Sequence, residues 1–124
     1  MANIKRIDIH PMMSQAVSHA GTIYLSGQVA WNSREKDVAE QTREILSRID
    51  NLLGKAGTSK QYLLSASIWL SNIADFDSMN QTWTAWVDQD HPPARATVEA
   101  KLAFPDLKVE IQVIAAMPFN MGED

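Results

Sequence analysis

Two charged side chains near the end of the sequence, Arg95 and Glu110, are the residues best suited to do chemistry. Arg95 directly follows the run HPPA at positions 91–94, whose two prolines form a rigid entry that would aim the arginine side chain reproducibly. A guanidinium held in this way can bind a carboxylate through two parallel hydrogen bonds. Glu110 could act as an acid or a base through a water molecule. The alternatives are a surface arginine paired with a neighbouring acid, and a solvated or cross-strand-paired glutamate.

The sequence lacks the patterns of most other enzyme chemistries. It contains no cysteine, which excludes thiol catalysis and thiolate metal sites. The three histidines, His10, His19 and His91, show no metal-ligand spacing, so we expect no metal site. No serine lies in a nucleophile-elbow pattern, and the sequence has neither a phosphate loop nor a dinucleotide-binding fingerprint. Serine hydrolysis, nucleotide hydrolysis and hydride transfer are therefore unsupported.

Length and charge indicate a single small domain. The chain has 124 residues, 45% of them hydrophobic, and a formal net charge of -4 at pH 7, so we expect one domain over residues 1–124. The N-terminal run MANIKRIDIH lacks the apolar core of a signal peptide, and no apolar run is long enough to span a bilayer. We therefore expect a cytoplasmic protein without membrane contact. The acidic balance and the lack of a basic stripe argue against a nucleic-acid partner.

Periodicity predicts the elements that must position the two charged residues. Alternation of apolar and polar residues is typical of half-buried strands. It occurs in five runs, at 3–9, 22–29, 62–71, 97–102 and 108–113, and in a short further run at 14–19. Helical spacing begins after Asp37 and ends at Ala56, followed by Gly57 as a left-handed cap. A second helix is predicted between Asp75 and Pro92.

The last two predicted strands suggest where the charged residues lie. The run Phe104-Pro105-Asp106 is typical of a turn, which predicts that 97–102 and 108–113 are antiparallel neighbours with Val98 facing the core. Such a hairpin would leave Arg95 and Glu110 four to six positions apart, about 13 to 20 Å along the sheet. One small substrate cannot touch both side chains in one chain. A shared site would therefore need two subunits.

The predicted fold is α+β, with a single mixed sheet of about six strands and two helices packed on one of its faces. The opposite face is too mixed in character for a core, yet it holds a tryptophan and small hydroxyls instead of the usual lysines and glutamates. Such a face is typical of a subunit interface, which favours a homo-oligomer; the alternative is an ordinary solvated sheet face. The residues predicted on it are Ser65, Ser67, Trp69, Thr97, Glu99, Glu110 and Gln112.

Six runs, in their order and spacing, resemble the Rid family, which comprises the YjgF and RidA proteins. They are SQAV at 14–17, IYLSGQV at 23–29, QTREILSRIDNLLGKAG at 41–57, DFDSMNQTW at 75–83, PPARATVEAKL at 92–102 and KVEIQVIA at 108–115. The resemblance extends over nearly the whole chain. It implies a homotrimer of chorismate-mutase-like fold that hydrolyses reactive enamines and imines without a cofactor.

The resemblance also implies roles for individual residues. Arg95 matches the arginine that holds the substrate carboxylate, and Glu110 matches the glutamate that positions the attacking water. Thr97 stands where many members have a cysteine whose backbone helps to bind the ligand. The remaining matches, Ser26, Gly27 and Asn80, are positions that line the pocket.

One position departs from the family pattern. Where the best-known deaminases have a tyrosine in a GPYSQ-like run, this chain has Met13 in the run PMMSQ. A thioether can pack against a substrate but donates no hydrogen bond. Two hypotheses follow: a deaminase of small 2-imino acids such as 2-iminobutanoate, and a binding module for a small carboxylate metabolite that performs no turnover. Trimeric chorismate mutase has a similar architecture, but no second arginine clusters with Arg95 to suit its dianionic substrate.

Overall fold

The computed structural model of the protein describes residues 3–118, which form one seven-stranded mixed sheet with two helices packed against it. This confirms the predicted fold class. No helix in the described part of the chain is long and apolar enough to cross a membrane. The strands are β1 (Lys5–Ile9), β2 (Ser14–His19), β3 (Thr22–Leu25), β4 (Gln28–Val29), β5 (Leu63–Leu70), β6 (Ala94–Glu99) and β7 (Val109–Ala116), and the helices are α1 (Val38–Ala56) and α2 (Phe76–Trp86).

The predicted hairpin between the last two strands is wrong. The strand order is β1-β2-β3-β7-β5-β6, with β4 also paired to β7, so β5 separates β6 from β7. Strand β6 pairs with β5 in parallel, because α2 carries the chain back across the sheet between them. The segment after β6 passes the end of β5, where Ala100 N–H donates to the carbonyl of Leu70 and Ser71 N–H to that of Lys108. The predicted turn is present, since Leu107 N–H donates to the Phe104 carbonyl, but it lies within a longer connection that crosses the end of β5 and does not join two neighbouring strands.

The two faces of β6 are also reversed relative to the prediction. In the register with β5, Thr97 lies beside Ile68 and Glu99 beside Leu70, whereas Val98 lies beside Trp69. Ile68 is fully buried under the helices, and Val98 is 50% exposed on the face that they leave uncovered. Alternation separated the polar residues of this edge strand from the apolar ones correctly. It could not show that the polar residues, and not Val98, face α2.

A second correction concerns β5. Strict alternation along the predicted run 62–71 puts Leu64 on the core side with Ala66, but Leu64 is 50% exposed and Leu63 is buried instead. The pairing of β5 with β7 shifts register between Leu63 and Ser65, so one additional residue is inserted there. The bulge exchanges the two leucines, while Ala66, Ile68 and Leu70 remain in the core as predicted.

Helix α1 begins and ends where its caps predict. The Asp37 carboxylate accepts a hydrogen bond from the N–H of Glu40, and Gly57 adopts the left-handed conformation at φ 90°. Helix α2 ends at Trp86, earlier than Pro92 alone would require. One face of α1 packs on the sheet through Ile45, Ile49 and Leu53, which are all completely buried.

A buried polar residue on α1 joins two loops at one end of the sheet. Gln41 is fully buried, and its Nε2 donates to the carbonyls of Arg34, Lys36 and Asp106 at 3.0 to 3.2 Å. Its Oε1 accepts the N–H of Lys108 at 2.8 Å. One side chain thereby satisfies backbone groups of the segment after β4 and of the segment before β7.

Replacing Gln41 with leucine should lower the free energy of unfolding by about 3 kcal/mol, because several buried backbone groups would lose their partners together. Urea unfolding at one fixed protein concentration measures the change. Gln89→Leu is the matched control, since Gln89 is exposed and its amide makes a single hydrogen bond, to the carbonyl of Thr84. Equal unfolding midpoints for the two variants would show that Gln41 does not brace these loops.

Candidate functional site

Arg95 is a half-buried cation at the edge of the sheet, facing α2. Its Nη1 donates to Oδ1 of Asn80 at 2.6 Å, and its guanidinium lies 5.7 Å from the ring of Phe76 and 5.6 Å from that of Trp83. Burial lowers the pKa of Arg95, but a guanidinium stays charged at any physiological pH. Within residues 3–118 no carboxylate forms an ion pair with it. The cation is therefore held in place by a neutral amide and two aromatic rings.

The residues around Arg95 share a simple helical spacing. Phe76, Asn80 and Trp83 stand four and then three positions apart, which places them on one face of α2. The sequence analysis selected Asn80 by resemblance alone. The same spacing would also have predicted that Phe76 and Trp83 contact Arg95, if the sequence had shown that β6 lies beside α2.

Thr97 follows Arg95 on the same side of β6. Its Oγ1 is buried and makes no hydrogen bond with any described residue. A buried hydroxyl without a partner is unusual, and an unmade hydrogen bond of this kind costs about 1 to 3 kcal/mol. An additional donor or acceptor thus stands next to the unpaired cation.

Glu110 lies on the opposite side of the sheet, next to a bulge. From Tyr24 to Gln28 the chain advances four residues while its partners in β7 advance three, from Ile114 to Ile111. The additional residue lies in the Ser26-Gly27 segment, and a bulge of this kind bends the strand locally. Alternation predicted a single strand over residues 22–29, and the bulge divides it into β3 and β4.

The bulge brings the backbone of Gly27 against the Glu110 carboxylate. A Cβ atom built on Gly27 would lie only 2.1 Å from Oε2 of Glu110. This position therefore requires glycine for close approach and not for an unusual φ. Burial raises the pKa of Glu110 above its ordinary value, because the charged form loses solvation. A carboxylate with a raised pKa is a stronger base, which suits it to accept a proton from water and return it.

Two glutamines hold the serine of the bulge. Ser26 Oγ donates to Oε1 of Gln15 at 2.8 Å, and Gln28 Nε2 donates to the same Oε1 at 2.9 Å. Gln28 Nε2 also lies 3.0 Å from Ser26 Oγ, and the Ser26 N–H donates to the Gln15 carbonyl. Sequence reasoning missed Gln15 and Gln28 because their convergence depends on the bulge, which alternation does not reveal.

Met13 lies beside this region, in the loop between β1 and β2. It is 44% exposed and lines a cleft of about 780 Å³ together with Gln15, Gly27, Gln28 and Trp31. The cleft is large enough for a metabolite-sized ligand. Three residues of α1, Arg48, Asn51 and Leu52, also line it. Met13 and Gly27 therefore lie in one cleft, and Gly27 also approaches Glu110.

The predicted site residues form two separate groups in one chain. Arg95, Asn80 and Thr97 lie together on the helix side of the sheet. The second group is centred on Gly27, which follows Ser26 in the bulge, approaches Glu110 and shares a cleft with Met13. Arg95 is paired with Ala66 of β5 and Glu110 with Trp69, which separates them by roughly 10 Å along the strands and roughly 10 Å across them. The predicted register was wrong, but the two residues are still too far apart for one small ligand.

The fold and the two site groups define a class of protein: a small α+β sheet protein with an unpaired arginine on its edge strand and a glycine bulge against a glutamate. The sequence model of the family described as Endoribonuclease L-PSP matches residues 4–117. The chain is 46% identical to a RutC family protein of Haemophilus influenzae over 90% of this chain and 97% of that protein. It is 41% identical to the RutC family protein YoaB of Escherichia coli over 92% and 98% of the two chains.

Solved structures agree with this assignment. A member of the YjgF protein family from Neisseria meningitidis has a TM-score of 0.91 and 40% identity, covering 94% of this chain and 97% of that one. A protein from Salmonella typhimurium described as a putative translation initiation inhibitor has a TM-score of 0.84 and 43% identity, covering 93% and 98%. The chain belongs to the YjgF/RutC family, also called the Rid family, which confirms the resemblance seen in the sequence.

Proposed function

We propose that the protein is an enamine/imine deaminase that hydrolyses small 2-imino acids to 2-oxo acids and ammonia. The observation that supports this most is Arg95, a half-buried cation without a carboxylate partner in the described chain. Leaving such a charge unpaired is costly unless a ligand supplies the anion. A carboxylate would accept hydrogen bonds from the guanidinium, and the buried hydroxyl of Thr97 lies close by.

The proposed reaction needs only water and a positioned acid-base group. Arg95 binds the substrate carboxylate, and Glu110 removes a proton from water as its oxygen attacks the imine carbon. Glu110 returns this proton to the imine nitrogen, which gives the neutral carbinolamine. The carbinolamine hydroxyl then passes its proton to the nitrogen through Glu110, the C–N bond breaks to release ammonia, and a C=O double bond stands where C=N was. Arg95 contributes orientation and charge complementarity, and Glu110 contributes proton transfer.

Because Arg95 and Glu110 are far apart in one chain, we propose that each site forms between two subunits of a homotrimer. The sheet face opposite the helices supports this assembly. It exposes Tyr24 by 46% and Val98 by 50% and includes Trp69, and apolar side chains grouped in this way are typical of interfaces. A cyclic arrangement would place the arginine group of one subunit against the cleft of the next.

The alternative function is a binding module for a small carboxylate metabolite, without turnover. Met13 favours it, because the residue lines the cleft next to Gly27 and its thioether cannot donate a proton or a hydrogen bond. In this case Arg95 would still hold the carboxylate. The names of some relatives refer to RNA or to translation, but the net charge of -4 favours a small ligand over a nucleic acid here.

An imine-quench assay tests the proposal. An amino-acid oxidase generates 2-imino acids in the presence of semicarbazide, and the protein should slow semicarbazone formation by removing the imine first. Heat-denatured protein at the same concentration serves as the control. If semicarbazone formation is unchanged for every imine, the deaminase is excluded. Thermal stabilisation by a 2-oxo acid that depends on Arg95 would then support the binding module.

A further inference from the structure

We propose that Trp31 and Met13 form a subsite for the substrate side chain, which selects 2-imino acids with a large aromatic side chain. This inference rests on the proposed function and specifies its substrate class. Trp31 and Met13 line the same cleft as Gly27. Gly27 also approaches the Glu110 carboxylate, and Trp31 comes two residues after Val29, the residue paired with Glu110 in the sheet.

Much of the Trp31 ring is free to contact a ligand. The side chain is 47% exposed although it is one of the largest apolar groups in the chain, and Met13 is 44% exposed. An indole face and a thioether both make favourable contacts with aromatic rings, and a stacked aromatic pair is more stable than the area it buries would account for.

Trp31 is held in position by its neighbours. Its ring packs edge-on against Phe104 with the centroids 5.6 Å apart. The Arg34 guanidinium lies 5.5 Å from the Trp31 ring and 4.6 Å from the Phe104 ring, and it is fixed by Asp106 at 2.9 Å. Asn32 N–H donates to Glu44 on α1. Because the Trp31 side chain is already held in one position, it loses little conformational entropy when a ligand binds.

Most charged and polar groups of the cleft are already satisfied within the protein. Asp8 pairs with Lys55 at 2.8 Å, and Arg48 pairs with Glu44 at 2.7 Å. Gln15 and Gln28 bind each other and Ser26. The remaining polar residues of the lining are His10 and Asn51. A polar substrate side chain would have to compete with the contacts above or use these two residues, whereas an apolar one would meet Trp31 and Met13 without competition. The lining therefore favours an aromatic side chain over a polar one.

Binding of two 2-oxo acids tests the subsite independently of turnover. Phenylpyruvate and pyruvate share the carboxylate that Arg95 would hold and differ in the group that would contact Trp31. By isothermal titration, phenylpyruvate should bind at least about tenfold more tightly than pyruvate. Trp31→Ala should weaken phenylpyruvate binding by about tenfold and pyruvate binding by less than about twofold, and Trp31→Phe should retain most of the preference.

Ile73→Ala is the control, because Ile73 is likewise 47% exposed but does not line this cleft; it should leave both affinities unchanged. Equal binding of the two acids by the wild-type protein, or equal weakening of both by Trp31→Ala, would overturn the subsite. If neither acid binds, the arginine site and the subsite both fail. Selective binding without imine hydrolysis would keep the subsite and exclude only the deaminase.

Discussion

Replacing Arg95 with methionine should lower kcat/KM for imine hydrolysis by at least about 100-fold, because the substrate loses both its charge-assisted hydrogen bonds and its orientation. Methionine keeps an unbranched stem against Phe76 and Trp83, so the fold should persist. Glu110→Gln should cause a loss of similar size by removing the acid-base group. The imine-quench assay measures both variants. Arg43→Met, at an exposed position on α1, is the control and should be fully active.

The same two variants show whether a site is shared between subunits. When they are unfolded, mixed in equal amounts and refolded together, half of the subunits provide an intact Arg95 and the other half an intact Glu110. If each site takes one residue from each of two neighbours, about a quarter of the sites combine two intact residues. The mixture should then have about a quarter of wild-type activity. Activity no higher than that of the separate variants would contradict a shared site.

Gly27→Ala should abolish most activity while leaving the fold nearly unchanged. The new methyl group would lie 2.1 Å from Oε2 of Glu110, so the carboxylate must move. The obstructed atom is the end of a flexible side chain, and the required movement should cost no more than about 1 to 3 kcal/mol of stability. The displaced carboxylate no longer stands where it can activate water, and a misplacement of about 1 Å can cost about 100-fold in rate.

Gly54→Ala is the matched control for Gly27→Ala. A Cβ atom at Gly54 meets nothing within 4 Å, and the residue lies in the last turns of α1, where alanine should stabilise the helix by up to about 1 kcal/mol. Its kcat/KM should equal that of the wild type. Thermal melts and imine-quench rates of both variants at one protein concentration complete the comparison. A fully active Gly27→Ala protein would exclude Glu110 as the acid-base group at its present position.

Local signals in the sequence predicted local structure well. Asp37 and Gly57 marked the ends of α1, because capping depends on a few adjacent residues. The alternation of Val109, Ile111 and Val113 predicted the buried side of β7 correctly. The prediction of strand pairing was wrong at β6, because a turn at Phe104-Pro105-Asp106 does not determine which strands are neighbours in the sheet. That choice depends on where α2 packs, which is a property of the whole fold.

The candidate site was only partly accessible from the sequence. Resemblance selected Arg95 and Asn80, and the structure places them in direct contact; their functional roles remain predictions. Alternation treated residues 22–29 as one strand and thus concealed the bulge that brings Gly27 to Glu110. A bulge shifts pairing by a single residue, and the hydrophobic pattern on either side of it gives no sign of that shift.

The central position of β7 affects how the chain must fold during synthesis. Among the described strands β7 is the last to be made, yet it joins the β1-β2-β3 meander to the β5-β6 pair. Until it leaves the ribosome, the nascent chain holds two half-sheets, each with an open edge where β7 will pair, and neither can bury its apolar side fully. Such edges attract strands of other chains. Chaperone binding during translation should therefore concentrate on the interval between the completion of β5 and the release of β7.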